Sequence, residues 1–277
     1  MLSLGVLLML SSTWSATVPP KVFIVNGKDV PSISTYPWVV SIHNATKGLK
    51  SHSFCGGALI DSTTVVTAAH CSTGDDDITA LDPSELLVAS HRFNQSADVK
   101  SEHPAVFNVT SVHIHPLFNQ TDDEVNSNIF YDIAVWKVQL VSGKPCNSDV
   151  RLDSGKYSKP GKLLTVVGWG DTIFNATEQS STLKETKVPV TSDKLCFTGY
   201  PKLKDNPTAF CAGYEDGRTD ACNGDSGGPI FVKENNVVTL TGVVSTGFEC
   251  ARAGKPGIYT RISYVRDWIR DIQINGY

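Results

Sequence analysis

No histidine follows His115 in this 277-residue chain, so any imidazole chemistry must draw its ring from the first half. A positive charge balance is missing too. The formal net charge of −4 argues against nucleic acid, which calls for a basic face. Long apolar runs are scarce: residues 2–10 form one, too short to span a bilayer, and no later stretch reaches about 18 apolar residues. That excludes a membrane-spanning helix. Stretches with helical periodicity are few, whereas the 22 glycines and 14 prolines favour short strands joined by turns. No cysteine precedes Cys55, and the total of seven is odd, so one lacks a partner within the chain.

What is there begins with that apolar run. Small residues follow it at Ser11, Ser12, Ser15 and Ala16, the pattern of a secretory signal peptide over residues 1–16. Cysteine usage suits an oxidising, extracellular compartment. Five Asn-x-Ser/Thr sequons, at Asn44, Asn94, Asn108, Asn119 and Asn175, are glycosylation candidates and agree with secretion. The length allows one large domain or two lobes.

The stretch 220–229, Asp-Ala-Cys-Asn-Gly-Asp-Ser-Gly-Gly-Pro, organises the rest. Glycines on both sides of Ser226 permit a sharp, exposed loop, and Cys222 can pin it. A serine hydroxyl attacks only when a base takes its proton and donors receive the developing oxyanion. The backbone N–H groups of Gly224 and Ser226 are the candidate donors. Alone, Gly-x-Ser-x-Gly also describes a glycine-rich turn, or the nucleophile elbow of α/β-hydrolases. The elbow's triad ends in a histidine beyond the serine, and none exists here. The base must lie upstream.

Along the chain, Tyr36 to Ile42 alternates and reads as a strand, as do runs at 163–167, 187–190, 230–232 and 237–245. A β-branched run ends in Thr67-Ala68-Ala69-His70-Cys71. Val265, Trp268, Ile269 and Ile272 recur at helical spacing, predicting a helix over 264–275 that packs on the core. The acidic runs Asp75-Asp76-Asp77 and Asp122-Asp123-Glu124 read as solvated loops, and His113 and His115 as ordinary half-buried side chains. No metal is assigned.

These segments fall into a known pattern. Ile24-Val25-Asn26-Gly27, Thr-Ala-Ala-His-Cys, Asp132-Ile133-Ala134-Val135, Gly168-Trp169-Gly170, Gly-Asp-Ser-Gly-Gly-Pro and Pro256-Gly257-Ile258-Tyr259-Thr260 stand in the order of the trypsin-like (chymotrypsin-fold) serine proteases, and the chain from Ile24 onward resembles that family. The resemblance implies an all-β fold of two six-stranded antiparallel Greek-key barrels, at about 24–143 and 144–260, with a C-terminal helix. It also implies a short propeptide at 17–23 and a peptidase domain over 24–277. The family's triad is itself the standard worked example of this chemistry. Its roles map onto His70 as base, Asp132 as the acid that orients it, and Ser226 as nucleophile. Gly224 and Ser226 map onto the oxyanion hole, and Ser245 onto the serine that hydrogen-bonds the acid. Asp220 corresponds to the aspartate at the floor of a pocket for Lys or Arg, with Gly247 and Gly257 as wall glycines.

The implied disulfides are Cys55–Cys71, Cys196–Cys211 and Cys222–Cys250; closing loops of about 15 residues stabilises by roughly 3 kcal/mol each. Cys146 is left over. A new amine at Ile24 is expected to pair with Asp225 and set the oxyanion loop. The preceding bond, Phe23–Ile24, is not one a Lys/Arg-directed enzyme cuts. Cleavage after Lys21 with removal of Val22-Phe23, or cutting by an aromatic-directed protease, is expected instead. Thr246 and Glu249 depart from the family's usual Trp and Gly. The resemblance implies no cofactor, a monomer, protein or peptide substrates, protein protease inhibitors as partners, and neither nucleic acid nor membrane. A catalytically silent homologue that binds or inhibits a partner is the competing reading.

Overall fold

Runs of β-branched and small apolar residues separated by glycine and proline turns build sixteen strands and three helices in a computed structural model, which describes residues 24–74, 79–121, 128–144, 149–172 and 179–276. The signal peptide and propeptide segments, both acidic runs, Cys146 and Asn175 lie outside the described residues.

After the two-residue strand β1 (Lys28–Asp29), the first lobe holds β2 (Val39–Asn44), β3 (Cys55–Asp61), β4 (Thr64–Thr67), β5 (Leu86–Ser90), β6 (Ala105–Ile114), β7 (Asn119–Thr121), β8 (Asn128–Phe130) and β9 (Ala134–Ser142). Six of these close a barrel in the order β2-β3-β4-β9-β6-β5, while β7 and β8 form a separate hairpin. The short helix α1 (Val99–Glu102) lies between β5 and β6.

The second lobe holds β10 (Val150–Leu152), β11 (Leu163–Gly168), β12 (Lys184–Pro189), helix α2 (Asp193–Gly199), β13 (Ala209–Ala212), β14 (Pro229–Glu234), β15 (Val237–Thr246), β16 (Gly257–Arg261) and helix α3 (Ile262–Asn275). Its strands run β1-β12-β11-β14-β15-β16-β13, with β10 added parallel to β15. An isolated bridge between Val190 and Ala212 joins the end of β12 back to β13, which closes the six-stranded path of the second barrel. The expected all-β architecture is therefore present, with β1 and β10 as additions.

One apolar cluster spans both lobes, and the second lobe has two more of its own among the described residues. Phe231 of β14 meets Trp38 edge-on at 4.8 Å and Tyr36 at 5.2 Å, so aromatic rings of the two lobes interlock. Val265, Ile269 and Ile272 of α3 join that core, and burying each such side chain is worth about 1.5–3 kcal/mol. Trp268 is half-buried and packs on His115 at 4.7 Å, on the outer flank of the helix.

Strand β3 is where the second lobe's loop around Ser226 lands. A Cβ at Gly56 would come within 3.1 Å of Gly228 Cα, and one at Gly57 within 3.0 Å of Val40 and Val65. The bare backbone lets Gly56 N–H donate to the carbonyl of Ser226 at 2.8 Å. The disulfides Cys55–Cys71, Cys196–Cys211 and Cys222–Cys250 are all formed. The first ties the end of β4, with His70, to β3.

Ion pairs lay the start of the chain on the second lobe. Lys28 meets Glu185 at 3.0 Å, and the buried Lys184 bonds Asp29 across the β1–β12 pair. A buried ammonium requires such a partner.

Candidate active site

Asp132 sits in the turn from β8 to β9 and is almost fully buried. Its Oδ1 accepts the backbone N–H of His70 at 3.0 Å, and its Oδ2 lies 2.8 Å from His70 Nδ1. Ser245, on β15, donates its hydroxyl to the same Oδ2 at 2.5 Å. Burial works to raise the Asp132 carboxyl, but the His70 ring and the bonds from His70 and Ser245 outweigh it and hold the pKa below the usual carboxylate value. An ionised Asp132 fixes the proton of the neutral ring on Nδ1, which makes Nε2 the nitrogen able to take a proton.

His70 and Ser226 line the same cleft, of about 300 Å³. The loop carrying Ser226 is held by backbone bonds on both sides: Asp225 N–H to Cys222 O, Gly227 N–H to Val244 O and Gly228 N–H to Asp225 O, each at 2.9 Å. Gly227 has φ +74°, and a Cβ there would come within 2.2 Å of Thr67 Oγ1. Gly224, at φ +91°, would meet Gln179. Among the described residues the N–H groups of Gly224 and Ser226 have no backbone partner. Ser226 lines the cleft, and an N–H without a backbone partner can serve an acceptor there.

Asp220 lies deep in this cleft and is almost fully buried. Its Oδ2 accepts from Ala251 N–H at 3.2 Å, while Oδ1 has no hydrogen-bond partner among the described residues. Burial pushes its pKa up to about 7 against the opposing backbone bonds from Ala251 and Ala221, and the charge of Asp225 adds to the rise. A Cβ on Gly257 would stand 2.8 Å from Asp220 Oδ1, so a glycine is needed to keep that oxygen reachable. Gly247 differs: a Cβ there would meet nothing closer than 3.7 Å, so its bareness widens the cleft without relieving a clash.

Asp225 is fully buried, with Oδ1 accepting from Gly170 N–H at 2.8 Å and Oδ2 from Cys222 N–H at 2.9 Å. Burial again dominates and pushes its pKa up to about 7, with the two backbone bonds opposing and Asp171 adding. Cβ atoms at Gly168 and Gly170 would fall within 2.0 and 2.5 Å of this carboxylate. Ile24 is fully buried, but in the uncut chain its nitrogen is part of a peptide bond. Among the described residues it is not a partner of Asp225.

Several cleft residues were not foreseen. Gln120 and Ile129, paired across the β7–β8 hairpin, line the same cleft as His70. Tyr259 also lines it, with a buried hydroxyl that has no hydrogen-bond partner among the described residues. Glu249 is at the cleft in a left-handed backbone (φ +58°) and pairs with Arg252 at 2.7 Å, so its charge is compensated. His113 bonds Ser111 and His115 stacks on Tyr131. Among the described residues, Cys55, His70 and Cys71 form the one cluster of metal-ligand types, but its two sulfurs are committed to the disulfide.

Comparison with known proteins agrees with this geometry. The family described as Trypsin matches residues 24–269. The chain is 34% identical to Trypsin 5G1 of Aedes aegypti over 90% of its own length and 84% of that protein. It is 31% identical to the proclotting enzyme of Tachypleus tridentatus, covering 90% of this chain but 65% of that one. To the hepatocyte growth factor activator serine protease of Homo sapiens it is 30% identical, over 86% of this chain and 34% of the other. Two of these relatives thus extend well beyond the matched part. With nearly the whole chain from Ile24 onward matched, and a closed β-barrel, a second sheet and a C-terminal helix around the cleft, this chain belongs to the trypsin family of serine proteases.

Proposed function

We propose that the chain is a secreted serine endopeptidase that cuts after Lys or Arg. Asp220 carries this reading: a buried carboxylate oxygen, without a partner among the described residues, belongs to a side chain lining the cleft that Ser226 and His70 share. An unpaired buried charge is costly, and the ammonium or guanidinium of a substrate side chain relieves that cost. The bond to be cut then lies beside the nucleophile.

Ser226 Oγ attacks the carbonyl carbon while His70 Nε2 takes its proton, and Asp132 stabilises the resulting imidazolium. The oxyanion is received by the N–H groups of Gly224 and Ser226; loss of one such donor costs roughly 3–4 kcal/mol in comparable enzymes. His70 returns the proton to the leaving amine, and water then hydrolyses the acyl-enzyme by the reverse sequence. The strand end at Ser245 to Gly247 is available to pair with an extended substrate backbone. Residues 1–16 serve as the leader and 17–23 as the propeptide. A new amine at Ile24 would meet the buried Asp225 in the processed protein, which is monomeric and open to protein inhibitors.

Processed protein should be labelled at Ser226 by a lysine-type phosphonate and should cut a peptide library after Lys and Arg. Absence of labelling, with the fold intact, would favour the silent-homologue reading.

A further inference from the structure

The β7–β8 hairpin has two unlike faces. Gln120 and its cross-strand partner Ile129 line the cleft that His70 also lines, whereas Asn119, one residue earlier, is exposed. Side chains alternate along a strand, so neighbours point to opposite faces of the ribbon. Asn119-Gln120-Thr121 is also a sequon. The sequons at Asn44, Asn94 and Asn108 adjoin no residue of the cleft.

We propose that Asn119 carries an N-linked oligosaccharide that acts as a size filter on the cleft, a role resting on the protease reading above. In the transfer, Asn119 Nδ2 bonds to the anomeric carbon of an oligosaccharide carried on a lipid pyrophosphate. The bond from that carbon to the pyrophosphate oxygen breaks, the lipid pyrophosphate leaves, and the amide gives up one proton to base. Nothing is oxidised or reduced.

The size argument follows from areas. A short peptide occupies the cleft alone, about 300 Å³, and meets the hairpin through its inner face. A folded protein docking on a protease covers about 800 Å² of its surface. That footprint reaches past the wall to its outer side, where the sugar stands. The glycan therefore leaves small substrates untouched and slows folded partners.

Full-length protein should be expressed in cells that make N-glycans, then processed. Wild type is compared with Asn119→Gln, with Thr121→Ala, which removes the sequon but keeps the asparagine, and with Asn108→Gln as a control for glycan loss elsewhere. Peptide mass mapping reads occupancy at Asn119. Turnover of a tripeptide amide ending in Arg reads the cleft, and the association rate of a Kunitz-type protein inhibitor, followed by surface binding, reads access.

Both variants at the sequon are expected to bind the inhibitor roughly tenfold faster, one decade of the range over which association rates vary within one interface. Amide turnover should change less than the inhibitor rate by that same decade, and Asn108→Gln should leave both unaltered. An unoccupied Asn119, or an occupied one whose loss leaves inhibitor association unchanged, overturns the proposal. Failure of amide turnover in every form would instead count against the protease reading, since occupancy and inhibitor access are read without catalysis.

Discussion

The hydroxyl of Thr208, from the second lobe, accepts the backbone N–H of Tyr131 at 3.1 Å, one residue before Asp132 of the first lobe. Tyr131 is in the left-handed region at φ +51°, a conformation that costs about 1–3 kcal/mol in a bulky residue and persists only when its surroundings enforce it. The same hydroxyl donates to Asn206 Oδ1 at 2.6 Å, and Asn206 Nδ2 donates to Ile129 O at 2.8 Å. Thr260 Oγ1 completes the hold by donating to Asp132 O at 2.7 Å. The second lobe thereby grips both the cleft wall and the candidate acid.

Thr208→Val keeps the shape and removes the hydroxyl. It strands the N–H of Tyr131, at a cost of about 1–3 kcal/mol if buried, while Asn206 Oδ1 keeps the backbone N–H of residue 208. A Tyr131 that relaxes moves Asp132 with it. The expected outcome is a fall in kcat of roughly tenfold or more with KM little changed, and recovery in Thr208→Ser. Steady-state kinetics on a small amide, alongside thermal unfolding, would check it. A lowered Tm with unaltered kcat would reduce the contact to scaffolding.

Arg92 and Glu102 give a second test, of stability alone. Arg92 is 2% exposed, and its guanidinium meets Glu102 Oε2 at 3.0 Å and the carbonyls of Leu49, Gln95 and Ala97 at 3.0–3.3 Å. Glu102 Oε1 in turn accepts the N–H groups of Phe93 and Asn94. Residues 92–102 thus wrap around an internal cation. Glu102→Ala leaves that charge buried and unpaired, and should cost roughly 3–5 kcal/mol in denaturant unfolding. Replacing both by methionine should restore part of it. Chelators should leave Tm of the wild type unchanged, because a guanidinium already occupies the centre of the loop.

Asp225 makes the uncut chain pH-sensitive. Its folded pKa, about 7, lies above its ordinary value near 3.8. A raised carboxyl contributes stability that is complete below the ordinary pKa and is lost as pH climbs through the folded one. Three pKa units correspond to on the order of 4 kcal/mol between pH 4 and 7. Asp225→Asn abolishes this dependence, although an amide facing two N–H donors adds a constant penalty of its own. The stability difference between uncut wild type and Asp225→Asn should therefore shrink or invert as pH rises. Denaturant midpoints that run parallel from pH 4 to 7 would contradict the role of the buried acid. Processing at Ile24 should reverse the trend by giving the carboxylate a cation.

Much of this was legible from local pattern. Apolar alternation marked β11, β14 and β15 to within a residue or two, and helical spacing marked α3. Strand β2 begins at Val39, later than Tyr36, because Pro37 lacks an N–H for the ladder and Tyr36 instead donates to Glu185. Strand β12 starts at Lys184, ahead of the expected 187, since Lys184 and Glu185 are charges buried by partners in β1. Spacing alone could not show that pairing. The glycines of Gly168-Trp169-Gly170 were visible as a motif, but their reason, the Asp225 carboxylate against them, was not. Gln120, Ile129, Asn206 and Thr208 escaped notice for the same cause. Ile129, Asn206 and Thr208 act through contacts about 77 residues apart in sequence, and Gln120 through its place at the cleft; no local periodicity encodes either.

Asp220 yields a prediction that separates floor from nucleophile. With the cleft empty its carboxyl has a pKa of about 7, so at pH 5 it is mostly protonated. An amidinium ligand, which mimics the end of an arginine side chain, binds the ionised form, and binding below pH 7 must then release a proton. Linkage makes affinity rise about tenfold per pH unit below 7 and level off above it. His70 lines the same cleft, and an imidazolium there would also repel a cation. His70→Ala removes that contribution and should leave most of the slope in place. Asp220→Asn should remove the slope and weaken binding at neutral pH, while leaving phosphonate labelling by a reagent without a basic side chain intact. Calorimetry of a benzamidine-type ligand in buffers of different ionisation enthalpy reads the proton release directly. Affinity independent of pH in His70→Ala, with no proton released, would mean that the unpartnered oxygen of Asp220 is not what receives the cation.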